Sequence, residues 1–221
     1  MKNLRIIAAI VAVTFAVQSC DQSDNLAPTD EVSSEVMSMI INNGFDVNNQ
    51  APITFDNGYL VEGDIYVTED QLRTMKPQNS LRLASEEQYS TDNLVSVSGS
   101  RNISLYIPVA STGRGKKTAG FSAIYVAALD EAIARYNAQN LNVTMSRVTS
   151  SGADIDFTRL SKRDERRDIL GSAGFPTNSG DPYGNIRMSG VLDGLGIDGI
   201  ATIMAHEMGH CIGFRHGPVE G

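Results

Sequence analysis

The chain has 221 residues, 18 Lys and Arg against 26 Asp and Glu, a net charge of −8, two cysteines and no tryptophan. This length can bury one good hydrophobic core plus a small accessory segment. The acidity and the lack of any basic stripe disfavour nucleic acid as a partner.

Lys2 and Arg5 precede an apolar run over residues 6–17 that only Thr14 breaks, followed by Gln18-Ser19-Cys20. The run is too short to span a bilayer and reads as a secretory signal. Its end resembles a bacterial lipobox, with Ser19 as the small residue before the cysteine; Val17 and Gln18 depart from the commoner residues there. The resemblance implies a lipoprotein signal peptide over 1–19, lipidation of Cys20, and attachment to the membrane through acyl chains. The expected location is the cell envelope, at the outer membrane or cell surface. Cleavage by an ordinary signal peptidase, which would give a secreted protein, is the alternative. Losing residues 1–20 removes Lys2 and Arg5 and no acid, leaving 16 basic against 26 acidic residues, a net charge of −10. No other stretch is apolar enough to cross a bilayer.

Residues 20–100 read as a tether and an accessory segment. Residues 21–29 are polar with one proline. Asp30 could cap a helix over 31–42, with Val32, Val36, Met39 and Ile40 on one side. Residues 59–67 are rich in strand formers but interrupted by Glu62-Gly63-Asp64. Thr68 then starts a helical turn at 69–72. Residues 85–101 are polar and serine-rich, as a linker is.

From 101 the chain reads as one domain to 221. Ile103, Leu105 and Ile107 alternate in a first strand over 103–109, and residues 113–117 form a basic turn. Phe121, Ile124, Tyr125, Ala128, Leu129, Ala132, Ile133 and Tyr136 recur at helical spacing, predicting an amphipathic helix to about 139. Leu141, Val143 and Met145 mark a second strand, and Ile155 and Phe157 a third. Arg163, Arg166 and Arg167 interleave with Asp164, Glu165 and Asp168, a pattern usual for a solvated helix face or loop. A Gly/Pro loop over 173–184 leads into a short fourth strand over 185–192. Asp198 could cap a helix over 199–212. Asp154, Asp156 and Asp181 offer carboxylates for calcium, but their spacing matches no recognised loop and suits a solvated surface better.

All three histidines fall in His206-Glu207-Met208-Gly209-His210-Cys211-Ile212-Gly213-Phe214-Arg215-His216. This is H-E-x-x-H-x-x-G-x-x-H, a zinc site with its own general base. Residues four apart share a helix face, so His206 and His210 can aim at one ion. Glu207 can reach a water on that ion without being a ligand. Catalytic zinc keeps three protein ligands and an open position for water, lowers the water's pKa and polarises the scissile carbonyl. Glu207 would take the proton and pass it to the leaving amine. Gly213 can adopt the left-handed conformation that ends a helix, which lets the chain bring back His216 as third ligand. A lone HExxH also occurs on surface helices without metal; Gly213 and His216 make zinc the stronger reading. Cys211 lies about 100° round the helix from His210 and reads as buried or disulfide-bonded rather than as a ligand.

The extended motif resembles the metzincin clan of zinc metallopeptidases, and its wording resembles the bacterial HEIGH-type members, with Met208 in place of the usual isoleucine. The resemblance covers about residues 101–216. It implies an α+β fold: a metzincin-like mixed sheet with a backing helix and an active-site helix. It implies one catalytic zinc on His206, His210 and His216, and an edge strand, here 185–189, that pairs antiparallel with a peptide substrate. It also implies a methionine turn beyond the third histidine. The chain ends at Gly221, five residues after His216, so the C-terminal subdomain is expected to be missing or the site to close differently. In many metzincins an N-terminal propeptide blocks the zinc until it is cut off. Residues 20–100 could be such a propeptide or a constitutive subdomain. They contain no cysteine beyond Cys20, which excludes a cysteine latch; a carboxylate latch is open, with no acid singled out.

The leading expectation is an exported zinc endopeptidase acting on protein or peptide substrates and held at the membrane by lipid. The alternative is a non-catalytic zinc- or peptide-binding surface lipoprotein with a degenerate or truncated protease domain. A metal-free adhesion module has little support.

Overall fold

The computed structural model describes residues 31–75, 89–110 and 120–217. Cys20, the signal run and the basic turn at 113–117 lie outside the described residues.

The N-terminal unit begins with helix α1, Ser34–Asn42, capped by Ser33, whose hydroxyl accepts from the Val36 amide. Asp30, expected as the cap, lies outside the described residues. Strands β1 (Ile53–Phe55) and β2 (Gly58–Val61) form a hairpin through Asp56-Asn57. Strand β3, Ile65–Val67, pairs antiparallel with β2. The Glu62-Gly63-Asp64 interruption is thus the turn between two strands. Helix α2, Glu69–Thr74, starts with a capping box between Thr68 and Gln71.

This unit does not own its core. Val36, Ile40, Val61, Ile65, Val67 and Leu72 pack with Phe175 from beyond the central sheet's third strand. Phe55, Leu60 and Tyr66 pack with Leu160 and Ile169. Separating the unit from the rest would expose both sets, each large side chain losing about 1.5–3 kcal/mol of burial.

The remainder is an α+β domain around a five-stranded mixed sheet. In chain order its parts are β4 (Tyr89–Ser90), β5 (Arg101–Tyr106), α3 (Ala123–Asn137), β6 (Val143–Val148), β7 (Ile155–Arg159), α4 (Lys162–Glu165), β8 (Gly171–Ser172), β9 (Asn185–Met188), α5 (Gly196–Ile212) and β10 (Phe214–Arg215). The sheet order is β6-β5-β7-β9-β8, all parallel except β8 against β9. Helix α3 buries Tyr125, Ala128, Leu129, Ala132 and Ile133, the spacing read from the sequence. Helix α5 buries Ile200, Ala201, Met204, Met208, Cys211 and Ile212 in the same core. The Tyr125 hydroxyl donates to the Ser189 carbonyl and accepts from the Leu192 amide, tying α3 to the chain leaving β9.

Three expectations need correction. The strand at 185–188 is not the sheet edge: Ile186 pairs with Phe157 and Arg187 with Ser172. The edge is β8, whose two residues are too short to show an alternating pattern. Asp198 does not cap α5; it lies in the first turn and pairs with Arg135 at 3.2 Å, while Leu195 occupies the cap position without a side-chain bond. The basic–acidic run at 162–168 is not merely solvated. The Glu165 side chain is nearly buried and accepts from Arg159, Lys162 and the Gly190 amide, bracing the end of β9. Among the described residues no helix is long and apolar enough to cross a membrane.

Candidate metal centre

Helix α5 carries His206 and His210 one turn apart on one face, and their Nε2 atoms lie 3.1 Å apart. Gly213 ends the helix at φ 114°, in the left-handed region, with its amide bonded to the Gly209 and His210 carbonyls. A Cβ there would also meet the Asn93 carbonyl at 2.9 Å. Strand β10 then pairs antiparallel with β4 and fixes the chain's return. His216 Nε2 arrives 3.0 Å from His206 Nε2.

A fourth group completes the cluster, and it comes from the N-terminal unit. Asp64 Oδ2 lies 2.8 Å from His206 Nε2, 3.4 Å from His216 Nε2 and 3.8 Å from His210 Nε2. All four ligand atoms fall within 4.8 Å of one another. Four ligands placed tetrahedrally at zinc–nitrogen distance would be about 3.3–3.4 Å apart, so the observed separations fit one such ion. The ring orientations fit as well. His210 Nδ1 lies 2.9 Å from the Phe214 carbonyl, and His216 Nδ1 lies 3.1 Å from Glu62 Oε2. Each Nδ1 must donate there, so a cation that displaces the Nε2 proton meets the Nε2 lone pair.

The turn that delivers Asp64 is built for the purpose. Glu62 and Gly63 both have positive φ, 53° and 93°. The φ of Gly63 favours glycine, and a Cβ there would also displace the end of the Gln50 side chain. This strap, residues 62–66, is hydrogen-bonded to the sheet edge at Asp64 itself and at Tyr66. The Ala173 amide donates to the Asp64 carbonyl at 3.1 Å, and the Tyr66 amide donates to the Ala173 carbonyl at 2.7 Å. Ile65 and Ala173 form a parallel bridge, so the strap extends the sheet past β8. Glu62 also faces Arg215, whose guanidinium stacks on Phe45 and donates to the Asn43 carbonyl.

Glu207 is buried beside the cluster and is not part of it. Its Oε2 is buried without a hydrogen-bond partner. Gly171 of β8 passes directly over it: a Cβ there would sit 2.5 Å from Glu207 Oε1. Burial, and after it the negative charge of Asp64, push the Glu207 carboxyl well above the usual range. Burial also works against charge on Asp64, but hydrogen bonds from His206, His210 and His216 outweigh it and hold that carboxyl well below the usual range. Hydrogen bonds to Asp64 and Glu62 push His216 up to about 9. The field at the cluster strongly favours a positive charge, as a metal site requires.

The other residues singled out from the sequence lie elsewhere. Cys211 is a free, buried thiol facing the core; burial, then Glu207, raises its pKa. Met208 is a core residue. The acids considered for calcium do not gather among the described residues. Asp154 accepts from Ser104, Asp156 from the Gly152 and Ala153 amides, and Asp181 pairs with Arg101. Asp64 and Glu62 were not singled out. Their available signal was the glycine breaking a strand-rich run, a mark of close backbone approach.

Three imidazoles and a carboxylate are placed to hold one metal ion, with the buried carboxylate of Glu207 on the histidines' own helix. The chain belongs to the dual-action HEIGH metallo-peptidase family, whose pattern it matches over residues 59–218. That range takes in the strap with Asp64 as well as the histidine motif. Among solved structures, that of myroilysin is similar at 14% identity and a TM-score of 0.39, covering 56% of this chain and 52% of that one. The chain thus spans about half the length of that protein. No curated protein matches.

Proposed function

We propose that the protein is an exported zinc endopeptidase held at the membrane by a lipid on Cys20, and that the N-terminal unit keeps it closed through Asp64. One observation carries this reading. The Nε2 atom of His206 lies 3.0 Å from that of His216 and 3.1 Å from that of His210, while Glu207, on the same helix, stays buried and outside the ligand set.

His206, His210 and His216 would hold the zinc. Bound there, it supplies an acidified water and a Lewis acid for the scissile carbonyl. Glu207 takes the proton of the attacking water and returns it to the leaving amine. With Asp64 in place a carboxylate fills the position that an attacking water would need. Departure of the strap removes that charge, admits water and frees the edge of β8. A peptide substrate then adds to β8 in place of the strap, rather than to the inner strand at 185–188.

A peptide library offered to the zinc-loaded, N-terminally trimmed protein and to its Glu207→Ala variant tests this assignment. The parent should cut internal bonds, and the variant should keep zinc and lose about 10²–10⁴-fold of turnover. Equal cutting by both would overturn the assignment of Glu207. The lipid anchor is tested separately: Cys20→Ser should move the protein out of the membrane fraction, and unchanged association would overturn it.

A second reading has one observation of its own. Four protein ligands make a closed set, as structural zinc sites do. A zinc-binding lipoprotein without peptidase activity would keep Asp64 permanently in place, and no trimming would yield cleavage.

A further inference from the structure

The strap shows more than how the metal position is filled; it also shows which side chain the cleft accepts beside it. Tyr66 stands two residues beyond Asp64 and is anchored to the edge through the Ala173 carbonyl. The residue is 7% exposed. The Arg187 guanidinium carbon lies 4.9 Å from the ring centroid, and the Tyr183 ring lies 6.1 Å away. Gly174 leaves the room: a Cβ there would meet the Tyr183 ring at 2.8 Å.

This pocket has two halves of different origin. Arg187, Tyr183 and Gly174 belong to the sheet and the loop leading into β9. Phe55, whose ring lies 6.2 Å from that of Tyr66, and Gly58 belong to the hairpin that travels with the strap. Asp56, also on the hairpin, pairs with Arg187 at 2.6 Å. When the strap leaves, Arg187 loses its carboxylate partner and both of the aromatic faces it covers, Phe55 and Tyr66. What remains is a guanidinium beside the Tyr183 ring, next to the free edge of β8. A cation presented over a ring-sized space selects for an aromatic face, and the offset ring of Tyr183 adds a second contact.

We infer that Arg187 and Tyr183 form a specificity subsite for an aromatic side chain of the peptide substrate, the place that Tyr66 occupies in the closed protein. This rests on the peptidase reading above. The strap runs parallel to β8, so a peptide running antiparallel to β8 would bring to this place a residue on the amino-terminal side of the bond to be cut.

The test uses the zinc-loaded full chain, nicked with trypsin between the N-terminal unit and the domain, and a peptide series. Each position amino-terminal to the cleaved bond carries in turn Tyr, Phe, Ala or Glu. At one of them Tyr or Phe should raise kcat/KM by about ten-fold over Ala. Arg187→Met should flatten that preference while zinc content stays the same. A flat profile in the parent overturns the subsite, and so does a preference for Glu, which would mean that the place of Asp56 is the one substrates use. Cleavage of no peptide overturns the peptidase reading, and the subsite with it. A second readout needs no turnover. If the pocket anchors the strap, Tyr66→Ala and Arg187→Met in the intact chain should each raise several-fold the rate at which a chelator strips zinc. Rates unchanged in both would overturn the pocket's role.

Discussion

Asp64 and His206 stand 142 positions apart in sequence and 2.8 Å apart in space. The contact joins the N-terminal unit to the metal helix at the one place where an open coordination position would otherwise lie. Two amide–carbonyl bonds to Ala173, one at the Asp64 carbonyl and one at the Tyr66 amide, hold the strap to the edge. Removing the Asp64 side chain would therefore take away the strap's contact with the histidines and leave two bonds at Ala173, so that the strap opens more often.

Gly171 leaves room for Glu207, the proposed general base, by having no side chain. Gly171→Ala would place a methyl group 2.5 Å from Glu207 Oε1 and 2.9 Å from its Cδ. The carboxylate must shift, and we expect kcat of the trimmed enzyme to fall by about 10²-fold or more. The crowding should cost about 1–3 kcal/mol in stability. Zinc content should not change, because Glu207 is outside the ligand set. Kinetics and metal analysis on the same preparation check this; an unchanged kcat would mean that Glu207 has room the structure does not give it.

Zinc should hold the N-terminal unit to the domain, since its ligands come from both. At a free zinc concentration about 1,000 times Kd, binding contributes about 4 kcal/mol to the folded state. Stripping the metal should lower Tm and raise amide exchange at 62–64 and 214–216 more than in β5 or β7. Calorimetry and hydrogen exchange with and without chelator read both effects. Equal changes across the whole chain would show that the metal does not bridge the two parts.

Much of the architecture was legible because it rests on local periodicity. The 125, 128, 129, 132, 133 spacing marked α3, Thr68 marked the start of α2, and Gly213 marked the end of α5. The strands at 59–67 were visible with their interruption. The edge strand was not legible: Gly171 and Ser172 carry no apolar alternation, and their pairing is set by tertiary contact with β9 and the strap. For the same reason the strand at 185–188, which does alternate, was misplaced at the edge. The clustering of the three histidines was readable because helix geometry ties His206 and His210 to a spacing of four and Gly213 marks the turn that returns His216. Asp64 reaches the same point through two positive-φ residues and a sheet edge, a route with no sequence period. Asp198 failed as a cap because Gly196, at φ 70°, starts the helix earlier, directly from a short 3-10 turn at Asp193–Leu195.

Asp64→Ala in the full, zinc-loaded chain is the most direct test. Three histidines suffice to hold catalytic zinc, so the variant should keep about one zinc per chain. Its hydrolysis of an unstructured protein should exceed that of the parent by about ten-fold or more, since activity scales with the open fraction. Adding Glu207→Ala to the same chain should abolish the gain. Full zinc occupancy in Asp64→Ala with no hydrolysis above the parent would contradict the account and leave a closed, non-catalytic zinc site.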